Sequence, residues 1–293
     1  MQSGANAPGL VRGLEGSNPS LPAFFRTQGN ADLFLMAGSV PDSLTVAWAA
    51  GLYDGEGSCS AYLPKKRRTY RRQMAVSQGG QPAELPEVLT RFRAAVLGIG
   101  HITGPYRGYL YYWKTSRKEA LDQIAALLWP YLGAEKRSQF EAASSLAKRP
   151  LTLVWDSPVA GRDIEVAWAA GFFEGEGTVG VGTDPRTGRC RAINMEIPQS
   201  SAAGLPDVLL RFHRIVGVGN VTGPHEPRSP WSRLPQYRWR SGALEDVEYV
   251  AALLWSRLGP TRRKQFETSI HLRRTGKPAG CETRTTLPTF STP

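Results

Sequence analysis

The chain has 293 residues, with 36 Lys and Arg against 25 Asp and Glu for a formal net charge of +11. That length holds one large domain or two small ones, each with its own core, and the basic surplus suits a polyanionic partner whose phosphates shed counterions on contact. Three cysteines without a CxxC pair (Cys59, Cys190 and Cys281) exclude a disulfide scaffold or structural zinc site and fit a reducing compartment.

In chain order, residues 1–42 are rich in Gly, Ser, Pro and Asn and read as a disordered leader. Its Leu33–Met36 patch is too brief for a signal peptide. No apolar run approaches the ~20 residues of a membrane span. The expected location is therefore intracellular (cytoplasm, nucleoid or organelle matrix), with no membrane contact and no secretion. A helix follows, with Ser43 as its N-cap candidate, and stops at a Gly-rich segment. Alternating patterns predict strands over 58–63 and 69–77, the second with Met74 and Val76 on one face. A helix starts near Pro86. Two strands span about 100–115, and two helices close the unit at about 117–132 and 135–147.

The same order then repeats. VAWAAGLYDGEG at 46–57 returns as VAWAAGFFEGEG at 166–177. Leu85–Leu89 returns as Leu205–Leu209, Gly98–Pro105 as Gly217–Pro224, and Ala126–Trp129 as Ala252–Trp255. Two copies of this length are two units of one αββαββα design, not a solenoid. The expected organisation is leader 1–42, first domain 43–150, linker 151–162, second domain 163–275 (Asp163 its N-cap candidate) and flexible tail 276–293. The fold class is α+β with two pseudo-symmetric halves.

Each repeated helix carries a small-residue stripe: Ala47, Gly51 and Gly55, then Ala167, Gly171 and Gly175. A glycine inside a helix costs about 1 kcal/mol relative to alanine, so its use in both copies implies a close backbone approach. Packing the two stripes together brings Glu56 and Glu176 side by side. Trp48, Leu52, Trp168 and Phe172 are expected on another face, against each copy's own sheet. Acids at a helix C-terminus oppose the macrodipole, and their recurrence favours function. Gly175-x-Gly177-x-x-Gly180 spells a dinucleotide fingerprint but follows a helix, not a strand, and is rejected.

The segments Ala49–Gly57 and Ala169–Gly177 resemble the LAGLIDADG signature, and the resemblance extends over about residues 43–272 as that of a single-chain, two-repeat LAGLIDADG homing endonuclease. It implies two such domains forming a DNA-binding saddle, and a monomeric, site-specific double-strand DNA endonuclease leaving 3′ overhangs and serving the mobility of its encoding intron or element. It further implies that Glu56 and Glu176 bind Mg²⁺ (Mn²⁺ or Ca²⁺ fitting the same sites), aided by the carbonyls of Gly55 and Gly175. Two close carboxylates resist joint ionisation without a cation, and oxygen ligands beside a phosphate favour Mg²⁺. Gln78 and Gln199 match the family's water-organising glutamine, and Lys136 and Arg262 its basic residue near the scissile phosphate.

The expected partner is double-stranded DNA with a long pseudo-palindromic or asymmetric target. Counting by twos along the strands offers Ser58, Ser60, Tyr62, Lys66, Arg71, Gln73, Ser77 and Lys114 in the first copy, and Thr178, Asn194, Arg238 and Arg240 in the second, as DNA contacts. The run Lys65–Arg68 suits phosphate. Tyr111, Trp113, Tyr237 and Trp239 read as core. The rival functions are an RNA maturase acting on intron RNA, against which retention of both glutamates argues, and a non-catalytic DNA-binding regulator, which would need an added helix-turn-helix.

Overall fold

The structure is a computed structural model and describes residues 41–65, 68–81, 84–149, 151, 160–226 and 234–276. The expected leader, linker and tail fall largely outside these residues, as do Lys66 and Cys281. The first copy runs α1 (Ser43–Glu56), β1 (Gly57–Tyr62), β2 (Arg71–Gly79), α2 (Glu87–Ala95), β3 (His101–Tyr106), β4 (Leu110–Thr115), α3 (Lys118–Leu128), a 3₁₀ turn (Trp129–Tyr131) and α4 (Ala134–Leu146). The second runs α5 (Arg162–Glu176), β5 (Thr178–Thr183), β6 (Cys190–Ser200), α6 (Asp207–Val216), β7 (Asn220–His225), β8 (Gln236–Ser241), α7 (Leu244–Leu254), a 3₁₀ turn (Trp255–Arg257) and α8 (Pro260–Thr275).

Each copy forms an antiparallel four-stranded sheet, ordered β1-β2-β4-β3 and β5-β6-β8-β7. Period-two patterning sets which face is covered. Met74, Val76, Tyr111 and Trp113 point into the first core, and Ile193, Met195, Ile197, Tyr237 and Trp239 into the second. Both cores are keyed alike: Trp113 meets Phe92 edge-on at 4.9 Å, and Trp239 meets Phe212 edge-on at 4.8 Å. Both indoles donate to a carbonyl just before the third strand of their sheet, Trp113 to Ile99 and Trp239 to Val218.

Several local expectations are corrected. The N-cap of α1 is Asp42, whose Oδ1 accepts from the Thr45 N–H at 2.8 Å; a carboxylate there outcompetes the Ser43 hydroxyl one residue on. In α5 the cap position is Gly161, without a side-chain bond, and Asp163 sits inside the first turn, where its charge still suits the helix dipole. Pro86 lies at the cap position of α2 and not in its first turn. Strand β2 begins at Arg71, not at 69. Its Arg72 keeps the alternation of burial, on the face of Met74 and Val76, although it is charged: Asp122 of α3 pairs with it at 2.6 Å and Ser144 of α4 accepts at 3.1 Å.

Helices α1 and α5 pack directly on each other. A Cβ on Gly51 would strike the carbonyl of Trp168, and one on Gly171 the carbonyl of Trp48. The bulky residues of the motif also touch this seam, contrary to the expectation that they face their own sheets. Leu52 Cδ1 lies 3.3 Å from where a Gly175 Cβ would be, and the Trp168 indole donates across to Asp54 at 2.8 Å. Positions 48, 51, 52 and 55 share one helical face at i, i+3, i+4 and i+7 spacing, so the stripe and its bulky flanks face the partner helix together. Phe172 does keep a ring contact in its own copy, with Phe212 at 6.0 Å.

Candidate active site

Because the seam is glycine-lined to its end, the last residues of α1 and α5 emerge together. A Cβ on Gly55 would lie 2.7 Å from Glu176 Cγ, and one on Gly175 would lie 3.0 Å from Glu56 Cγ. Each glutamate side chain thus lies over the other helix's final glycine. Burial first and the Glu176 charge second push the Glu56 carboxyl up to about 7. Glu176 is likewise raised, by burial, with a hydrogen bond from Gln199 opposing. On the other side Ser77 Oγ donates to Glu56 Oε2 at 3.5 Å.

Two cations face this pair. Lys136, near the start of α4, donates to the Gly57 carbonyl at 2.6 Å. Burial lowers its pKa, while Asp54, Glu135, Glu176 and Glu56 pull it back up. Arg262, near the start of α8, donates to the Glu174 carbonyl at 2.9 and 3.1 Å, to the Gly175 carbonyl at 3.2 Å and to Gln265 at 2.9 Å. Its pKa is lowered by burial, against Glu174, Glu56 and Glu176. Of the expected centre, Glu56, Glu176, Gln199, Lys136 and Arg262 therefore converge, and Ser77, expected as a DNA contact, joins them. Gln78 lines a cavity of about 600 Å³ beside it, shared with Trp48, Arg91, Glu174 and Arg262.

The sequence reading assigned nothing to the acids two residues before the glutamates. Asp54 is buried and accepts from the Gly133 N–H at 2.9 and 3.0 Å, capping α4. Burial raises it to about 6, with the Trp168 and Gly133 bonds opposing. Glu174 accepts from the Gly259 N–H at 2.7 Å at the start of α8. The two acids thereby anchor the helices that deliver Lys136 and Arg262. Two arginines strap the seam. Arg91 lies 3.8 Å over the Trp48 ring and donates to Arg257 across the seam at 2.7 Å. Arg211 lies 4.0 Å over Trp168, donates to Tyr131 across it at 2.6 Å and pairs with Glu165 at 2.8 Å. Their recurrence at matching places in the repeat was the available signal.

Among the described residues no three His, Cys, Asp or Glu side chains cluster, so the glutamates stand as a pair. The donor set is still suited to a hard cation. Two carboxylates that resist joint ionisation offer oxygen ligands only, and Mg²⁺ commonly binds through one or two carboxylates with water and phosphate completing its shell. The Gly175 carbonyl, expected to assist, accepts from Arg262 here.

Away from the helices, each sheet presents its other face. Ser58, Ser60, Tyr62 and Arg71 are exposed, and Gln73, Ser77 and Lys114 partly so; in the second copy Thr178, Asn194 and Arg240 are exposed. Arg238 is the exception: it is 8% exposed, donates to Gln236 at 2.9 Å and lies 3.9 Å from Glu196. A neighbouring amide and carboxylate keep the guanidinium on its own sheet.

Two αββαββα units joined by glycine-lined helices that end in paired acids define the LAGLIDADG homing-endonuclease fold, and the chain has it. No family model matches the sequence, and no curated protein matches it. Solved structures do. The LAGLIDADG meganuclease I-AabMI, bound to uncleaved DNA, matches with a TM-score of 0.58 at 14% identity over 78% of this chain and 90% of that one. The LAGLIDADG homing endonuclease I-GzeII, in complex with its DNA target, gives 0.56 at 14% over 78% and 90%. I-LtrWI, bound to target DNA, gives 0.52 at 13% over 80% and 92%. At such identities the likeness is one of fold. Among the described residues no helix is long and apolar enough to cross a membrane.

Proposed function

We propose that this protein is a site-specific endonuclease of double-stranded DNA, acting as a monomer and cutting both strands with a stagger that leaves 3′ overhangs. The carrying observation is the approach of Glu56 and Glu176 over one another's terminal glycines, with Lys136 and Arg262 beside them. A nuclease needs such a centre: acids that hold divalent metal and cations that offset the charge developing on the attacked phosphate. Mg²⁺ bound by the two glutamates would supply charge neutralisation and water activation. In the hydrolysis a water oxygen bonds to phosphorus, the bond to the 3′-oxygen breaks, and that oxygen leaves with a proton. Gln199 orients the Glu176 carboxylate, and Gln78, at the matching place in the other copy, orders water beside it. Lys136 and Arg262 stabilise the anionic phosphate. The role served is mobility of the intron or other element that encodes the chain.

The test is cleavage of a randomised duplex library with Mg²⁺ by wild type, Glu56→Gln, Glu176→Gln and the double variant. Wild type should cut discrete sequences on both strands, and each single variant should keep binding while losing double-strand cutting. Equal cutting by the double variant would remove the pair from the chemistry.

A further inference from the structure

The two sheets differ on the faces turned away from the helices, and the register of pairing allows a row-by-row comparison. In the second copy one row crosses all four strands as Thr178, Glu196, Arg240 and Asn220. The same row of the first copy reads Ser58, Ala75, Lys114 and His101. The pairs at its centre are therefore Glu196 with Arg240, and Ala75 with Lys114. Strands lie about 4.8 Å apart, so Glu196 and Arg240 present an acceptor and a donor side by side. The Arg240 guanidinium is exposed and makes no hydrogen bond or ion pair within the described residues, while that of Arg238, two residues earlier, is committed to Gln236 and lies 3.9 Å from one oxygen of Glu196, whose carboxylate stays partly exposed. Lys114 is engaged differently: its ammonium lies 4.2 Å from the Tyr112 ring centroid and 5.6 Å from that of Tyr106.

The chemistry of the two rows is not interchangeable. A guanidinium presents a planar fork that matches guanine O6 and N7 in the major groove, and a carboxylate accepts from cytosine N4 of the same base pair. A lysine resting on tyrosine rings beside an alanine offers neither the fork nor the acceptor. Resting on the endonuclease reading above, we infer that Arg240, with Glu196 beside it, fixes a G·C pair in the half-site under the second copy. The matching row of the first copy imposes no such requirement, so the target is asymmetric in composition at mirrored positions.

Selection of bound duplexes from a randomised library, in chelator to suppress cutting, tests this with wild type, Arg240→Gln, Arg240→Lys and Lys114→Gln. Wild type should show one position on one side of the target where guanine outcompetes the other bases by about ten- to a hundredfold. Arg240→Gln should relax that position or move it towards adenine, leaving the rest of the motif intact. Arg240→Lys keeps the charge without the fork, and should keep overall affinity while weakening the guanine preference less than Arg240→Gln does. Lys114→Gln should leave no position with a comparable change. Thermal melting confirms that each variant is folded. A sequence-specific motif that Arg240→Gln leaves untouched overturns this inference alone, as does a Lys114-dependent guanine at the mirrored position. Failure of wild type to select any sequence overturns the endonuclease reading and this inference with it.

Discussion

Glu56 titrates near neutrality because it is buried and faces Glu176, and the sign of the consequence follows. A carboxyl whose pKa is raised in the folded chain binds its proton more tightly there than in the unfolded chain. Its contribution to stability is complete below its ordinary value of 4.5 and is lost as pH rises through about 7. In chelator, the wild-type Tm should therefore fall between pH 5 and 8 by an amount corresponding to about 1–3 kcal/mol. Glu56→Gln should flatten that fall, and added Mg²⁺ should restore the Tm at pH 8 for wild type but not for the variant. A pH-independent difference between the two proteins would contradict the raised pKa. Asp54 is a second residue-scale case. Asp54→Ala strands the Trp168 indole and the Gly133 N–H, and should cost about 2–4 kcal/mol in chemical denaturation; a loss below about 1 kcal/mol would show that water replaces the carboxylate. At this scale the sequence was read best where the residue type carries the chemistry. Glu56 and Glu176 could be placed from the repeated motif, and Lys136 from the resemblance it carries. Asp54 and Arg72 could not, because their roles depend on partners 79 and 50 residues away.

At the scale of elements, the hydrophobic period and the internal repeat made the eight strands and eight α-helices of the described residues visible, while end positions depended on competition between neighbours. Asp42 displaced Ser43 as cap because both sit within reach of the same N–H groups, which spacing alone does not rank. The seam was legible as a stripe of small residues. Which bulky residues flank it was not, because a helix wheel drawn for one helix does not say how far the partner's surface wraps round it. The seam supplies the element-scale prediction. Gly51→Ala puts a methyl group into the Trp168 carbonyl, and Gly171→Ala does the same at Trp48. Neither neighbour can yield without separating α1 from α5. Each substitution should cost at least about 2–3 kcal/mol despite the better helix propensity of alanine, and should abolish cutting by spreading Glu56 from Glu176. Gly79→Ala serves as the control, since a Cβ there meets nothing within 4 Å. Unchanged denaturation midpoints for both seam variants would refute the close approach.

Across the whole molecule, the surplus of eleven positive charges predicts a strong dependence of binding on salt. A surface gripping six to ten phosphates loses about 10³–10⁵ in affinity between 50 and 200 mM salt, and a flat response would rule out such a grip. The duplication makes a sharper demand. Gene-level copying gives two equal halves, but the matched positions around the two acids have diverged: Ser77 corresponds to Pro198, Lys136 to Arg262, and Asp54 to Glu174. Glu56 accepts from a serine and Glu176 from a glutamine. The Lys136 ammonium makes one bond, to a single carbonyl, whereas the Arg262 guanidinium is tied to two carbonyls and an amide and has fewer donors left for a phosphate. Electrostatic stabilisation of a transition state depends on donors already aimed at the developing charge, so two phosphates in such unequal settings should not be cut at one rate. On a supercoiled plasmid carrying the target, nicked circles should accumulate before linear product, with one strand cut first in every molecule. Arg262→Lys, which frees the second cation from its carbonyl ties, should narrow the gap between the two cuts. Linear product formed with no nicked intermediate would mean that the divergence around Glu56 and Glu176 leaves the two centres equivalent.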